Sequence, residues 1–168
     1  MGFISTKGFP GLNRGFTNAL PSISIPNAGW ETGTAGGWTL LKNGTALLDV
    51  VGNNARSGTY CLYAQPKTGS CTARYSHLSY AKYIGYTVVF SVWAKRENGN
   101  EGQIQLDDNT QNPLTLFNWN DVGSGVYKQF TVEITVAALA TRLFFLLTNF
   151  NSNFQNVWMD DMQVRIKS

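Results

Sequence analysis

His77 is the only histidine in the chain, so a nucleophile and base pair of the usual kind would have to run through it. It falls in a Ser/Tyr-rich strand end with no recognisable nucleophile motif, and a solvated or hydrogen-bonded imidazole is expected there. Glycosidases need two carboxylates facing across a cleft, roughly 5 to 9.5 Å apart. The adjacent pairs Asp107-Asp108 and Asp160-Asp161 point to opposite sheet faces if both members lie in strand, so neither pair can serve. More distant combinations, such as Glu133 with Asp107, stay open. No Gly-rich phosphate loop precedes a helix, and two cysteines with one histidine do not make a zinc site. The expectation is a protein that is not an enzyme.

The two cysteines, Cys61 and Cys71, flank Pro66-Lys67-Thr68-Gly69, which reads as a turn between two strands. A hairpin pairing Ala64 with Thr68 would set them opposite each other on one face. The sequence leaves two states open, a cross-strand disulfide or a pair of reduced, partly buried thiols.

The elements that carry these residues follow from composition and period. In 168 residues there is room for one ordinary domain. Charged residues make up 14% against a usual figure of about 25%, and hydrophobics reach 43%, too apolar for a disordered chain. Asn and Thr, sixteen of each, with 17 Gly, suit turns and solvated strand faces better than long helices. The formal charge of +3 is spread thinly, with no basic stripe of the kind that neutralises phosphates, so nucleic acid is not an expected partner. No apolar stretch approaches the roughly 20 residues of a membrane-spanning helix, and no membrane partner is expected.

From Asn27 onward the period is two. In residues 86–95, Tyr86, Val88, Phe90, Val92 and Ala94 point one way and Thr87, Val89, Ser91, Trp93 and Lys95 the other. Residues 127–136 and 103–107 alternate likewise, and residues 142–148 are apolar on both faces, as in a central strand. Residues 157–166 place Trp158, Met162, Val164 and Ile166 on one face, a register that also turns Asp160 inward. Weaker strands are expected at 38–42, 46–51, 59–64 and 71–77. Eight or nine short strands separated by Gly/Asn turns predict an all-β, two-sheet antiparallel sandwich over residues 27–168.

Residues 1–26 are different. They carry no acidic residue, contain Pro10, Pro21 and Pro26, and repeat a Gly-Phe step that ends on Phe3, Phe9 and Phe16. Proline and glycine interrupt any period there, so the segment reads as an extended arm. Three phenylalanines left in water forgo about 2 kcal/mol of burial apiece, which favours their packing on the domain or on a neighbouring subunit.

Four motifs, in order, resemble the jelly-roll carbohydrate-binding modules attached to xylanases and glucanases. Asn27-Ala28-Gly29-Trp30-Glu31 is similar to their Asn-x-Gly-Phe-Glu opening, and Ser57-Gly58-Thr59-Tyr60-Cys61-Leu62 to their small-Gly-x-Tyr-x-Leu strand. Residues 86–95 resemble their Tyr-x-Val-Ser-Phe-x-Val-Lys strand, and Asp160-Asp161-Met162 their closing Asp-Asp-Val. The resemblance covers residues 27–168 and leaves the arm outside. It implies a jelly roll with a structural calcium ion, for which Glu31, Asp160 and Asp161 are the candidate ligands. It also implies glycan lying across a sheet, stacked on exposed aromatics and bonded to amides and carboxylates. Trp93, Lys95, Gln103, Gln105 and Asp107, outward on their strands, are the candidate platform, with Tyr80, Tyr83 and Trp119 framing it from loops.

Two functional readings follow. One is a virion surface component of a bacteriophage: a capsid decoration, head-fibre or tail-associated protein whose arm holds neighbouring subunits in an oligomer or larger assembly. It rests on a start at Met1 without an export signal, the lack of an attached enzyme, and the Gly-Phe arm. The sandwich would face cell-surface polysaccharide. The other is an extracellular carbohydrate-binding module of a secreted glycoside hydrolase.

Overall fold

A computed structural model describes residues 20–97, 102–117, 124–150 and 156–167. Ten strands are formed: β1 Thr39–Lys42, β2 Leu47–Val51, β3 Cys61–Gln65, β4 Ser70–Ser76, β5 Thr87–Arg96, β6 Gln103–Asp107, β7 Leu114–Leu116, β8 Lys128–Thr135, β9 Phe144–Phe150 and β10 Val157–Lys167. One 3-10 turn, Tyr80–Tyr83, precedes β5. The strands make two antiparallel five-stranded sheets, ordered β1-β4-β9-β6-β7 (sheet A) and β2-β3-β10-β5-β8 (sheet B). Nine of the ten lie where the period predicts them. β7 was not expected, because three residues with exposed leucines at both ends carry no readable alternation.

Inward residues of the two sheets interdigitate. Phe90 of β5 meets Phe145 of β9 edge to face, with ring centroids 5.2 Å apart, and Leu62, Ile104, Leu106, Leu147 and Met159 fill the space around them. Two register expectations fail. β3 and β4 belong to different sheets, so Cys61 and Cys71 are not hairpin partners, and both are buried free thiols. Residues 66–69 carry the chain from sheet to sheet instead of closing a hairpin.

β10 is broken by a bulge between Asp160 and Gln163, where Asp161 takes a φ of 46°. Before the bulge Val157 and Met159 face the core; after it Val164 and Ile166 sit opposite Phe90 and Val88. Asp160 is opposite Trp93 and so lies on the outer face of sheet B rather than inward. The extra residue resets the alternation, which a strict period of two could not anticipate.

Residues 22–26, assigned from sequence to the arm, contact the sandwich. Ile25 is buried in the core, Pro26 O accepts the Trp38 indole N–H at 3.1 Å, and Ser22 O accepts the Tyr83 hydroxyl at 3.0 Å. Phe3, Phe9 and Phe16 lie outside the described residues.

Candidate functional site

The sheet registers sort the predicted platform onto two opposite surfaces. Trp93 and Lys95 are on the outer face of sheet B, whereas Gln103, Gln105 and Asp107 are on the outer face of sheet A. A single platform of these five therefore does not form. Tyr83 is buried, its ring edge-on to His77 at 5.1 Å, and Tyr80 packs in the same 3-10 turn; Trp119 lies outside the described residues.

The outer face of sheet B is closed in part: Val89, Ser91 and Asp160 are buried, whereas Gln129, Thr131, Glu133 and Gln163 stay exposed. Val89 and Ser91 are only 2% and 8% exposed although they point away from the core. Residues 23–28 run beside them and share with them the lining of a hollow of about 570 Å³. Farther along, residues 53–57 fold over the face: the Arg56 guanidinium covers the Trp93 ring at 3.8 Å, and Asn54 takes hydrogen bonds from Lys95 Nζ and the Tyr127 hydroxyl. The apolar face that a pyranose would need on Trp93 is occupied by arginine.

The acidic cluster lies under the same loop. Asp160 is fully buried; its Oδ2 accepts from the Arg56 and Ser57 backbone N–H at 2.8 and 3.2 Å and its Oδ1 from Asp161 N at 2.8 Å. Asp161 takes the Ser57 hydroxyl at 2.6 Å and the Arg56 guanidinium. Glu31 accepts from Thr59 and Tyr60 N–H, and a Cβ on Gly58 would stand 2.3 Å from its carboxyl, so only glycine allows this approach. The bulge thus brings both aspartates onto one loop, where strict alternation would have parted them.

A calcium ion would need these oxygens free. They are instead satisfied by backbone N–H groups, a hydroxyl and a guanidinium, and no group of three acidic, Cys or His side chains is arranged to hold a metal among the described residues. The ligand set that the resemblance implies does not fit.

The outer face of sheet A is open, with none of its described outward residues buried. Cross-strand pairing lays them in rows. One row is Thr39, Arg74, Leu146, Gln105 and Leu114; the next is Leu41, Thr72, Thr148, Gln103 and Leu116; a third is Ser76, Phe144 and Asp107. Thr72 and Thr148 share a hydroxyl hydrogen bond of 3.0 Å, and Gln103 donates to Gln105 at 3.2 Å. Arg142 grips Asp107 through two bonds, of 3.1 and 2.5 Å. Two guanidinium groups lie over the Phe144 ring, Arg74 at 5.0 Å and Arg142 at 4.8 Å from its centre. Asp107 and Arg142 also border a polar hollow of about 260 Å³ lined by Asn109, Thr110, Gln111 and Asn112.

Phe144, Arg74, Arg142, Thr72 and Thr148 were not singled out from the sequence. Residues 142–148 read there as apolar on both faces; only pairing with β4 and β6 shows that Phe144 and Leu146 look outward.

His77 holds a packing role: its Nδ1 accepts Ser79 N–H at 3.3 Å, its ring sits between Tyr75 and Tyr83, and burial lowers its pKa. The described residues therefore offer it no nucleophile in hydrogen-bond contact.

No family model and no curated protein sequence matches the chain. Solved structures do match in fold. The enzymatically active domain of bacteriophage CBA120 tailspike protein 4 is 14% identical with a TM-score of 0.68, over 86% of this chain and 21% of that one. This chain thus spans about a fifth of that solved domain chain. The module TmCBM61, solved with β-1,4-galactotriose, is 17% identical with a TM-score of 0.61, over 85% of this chain and 97% of its own. A Stig cyclase from Fischerella sp. TAU is 15% identical with a TM-score of 0.67, over 88% and 98%. The chain has the jelly-roll sandwich of carbohydrate-binding modules, a fold that enzymes also use.

Proposed function

We propose that the protein is a non-catalytic glycan-binding sandwich, that its binding face is the outer surface of sheet A, and that it is displayed on a virion surface. In this reading the proline-broken leader attaches it to neighbouring capsid or tail subunits. The observation that carries the binding face is the contrast between the two sheets. On sheet B the Trp93 ring is covered by Arg56 and Val89 and Ser91 are buried, whereas sheet A presents paired amides and hydroxyls in open rows. Fixed amides and hydroxyls along an open sheet face are groups that can read the hydroxyls of a sugar. The tailspike likeness and the arm composition support the virion setting.

The second reading, a carbohydrate-binding module of a secreted glycoside hydrolase, draws on the near-complete coverage of TmCBM61, a module of the same extent. Sedimentation of the full-length protein separates the two, since a lone module stays monomeric and an assembly component associates.

For the face itself, a glycan array probed with full-length protein is decisive. Phe144→Ala and Gln105→Ala should lose retention with an unchanged melting temperature, whereas Trp93→Ala, on sheet B, should keep it. Retention lost with Trp93 and kept without Phe144 would move the site to sheet B.

A further inference from the structure

We propose that the glycan held on sheet A is acidic, a polysaccharide bearing carboxylates, and that Arg74 reads its charge. The proposal rests on the reading of this face as a glycan-binding surface. Two arginines approach the one phenylalanine ring, so Arg74 and Arg142 are no farther apart than the sum of their 5.0 and 4.8 Å distances from its centre. Among the described residues only one carboxylate serves them: Asp107, held at both oxygens by Arg142.

Arg74 has no carboxylate partner among the described residues, and its Nε is buried without an acceptor. Its row neighbours Thr39, Leu146, Gln105 and Leu114 are uncharged, and so is the whole adjacent row. Among the described residues the face therefore carries one positive charge without a carboxylate to match it.

A buried, unmet guanidinium donor costs free energy in the unliganded protein, and a second cation beside a neutralised pair adds repulsion. An incoming carboxylate supplies the countercharge that Arg74 lacks among the described residues. The Phe144 ring centre lies 5.0 Å from the guanidinium carbon, and the planar fork of an arginine side chain suits a two-point contact with a carboxylate. A neutral sugar would be served by Gln103, Gln105, Thr72 and Thr148 and would leave Arg74 unmatched. An acidic peptide would match Arg74 but has no ring hydroxyls for the amide and hydroxyl rows.

The test uses the full-length protein on an array of matched pairs: oligogalacturonate and oligoglucuronate, each beside its carboxyl-reduced, neutral counterpart, together with a library of neutral oligosaccharides. The expected result is retention on an acidic member that falls roughly tenfold or more on its reduced partner. Arg74→Gln should erase that preference while Arg74→Lys keeps part of it, and added salt should weaken it. Equal retention of both members, or retention of neutral sugars only, overturns the acidic assignment and leaves the glycan-binding face standing. Failure to retain any oligosaccharide overturns the face itself, and the acidic assignment with it.

Discussion

Burial alone would raise the pKa of the Asp108 carboxyl, which is fully enclosed, but hydrogen bonds outweigh it. Ala137 N–H donates to one oxygen, and Thr110 N–H, Thr110 Oγ1 and Gln111 N–H donate to the other, all within 2.9 Å; together they hold the group down at about 2. The folded value lies below the ordinary 3.8, so the carboxylate stabilises the fold above that pH and the contribution is lost as pH falls through about 2. It amounts to about 2 kcal/mol. Urea unfolding followed from pH 5 down to pH 2 should show stability falling in this window, and Asp108→Asn should flatten the fall while lowering stability at pH 7. The sequence paired Asp108 with Asp107 only as carboxylates on opposite faces. Its role as the clasp between the β6–β7 and β8–β9 connections depends on Ala137, 29 positions away.

At the scale of elements, the position of a strand was easier to read than its neighbours. The alternation in residues 86–95 put Val88, Phe90, Val92 and Ala94 in the core, and they are there. Val89 and Ser91 belong to the other face and are buried as well, because residues 23–28 lie beside them, a contact that no local pattern encodes. Partner choice decided the cysteines too. Cys61 sits in sheet B with its thiol near Asn53 O at 3.2 Å, and Cys71 sits in sheet A near Asn149 O at 3.7 Å. Desolvation pushes them to about 11 and about 12, so neither offers much thiolate at neutral pH. A thiol reagent at pH 8 should therefore find no reactive cysteine in the native protein and two after unfolding without reductant. None after unfolding would mean that the thiols are joined.

At the scale of the whole molecule, the leader is not uniform. Ser22, Ile23, Ile25 and Pro26 are tied to Tyr83, the core and Trp38. Deletion through Pro26 should lower the melting temperature by several degrees relative to deletion through Ala19, since it removes two packed isoleucines and exposes two hydrogen-bonding groups. Equal melting would show that these contacts carry little of the stability. The same segment lines the hollow beside Val89 and Ser91, and so helps to close part of sheet B.

The sequence by itself determined the fold class and the strands, because side-chain alternation and turn residues act over a few positions and need no partner. Its motifs brought Glu31, Asp160 and Asp161 to one neighbourhood and placed Gln103, Gln105 and Asp107 outward. Tertiary structure decided which sheet each strand joined, and with it that Trp93 and Gln105 look away from each other. It also decided that Arg56 covers Trp93 and that Arg74 and Arg142 both approach Phe144. Those outcomes depend on pairing between segments tens of residues apart and on one extra residue in β10, neither of which leaves a periodic trace in the chain.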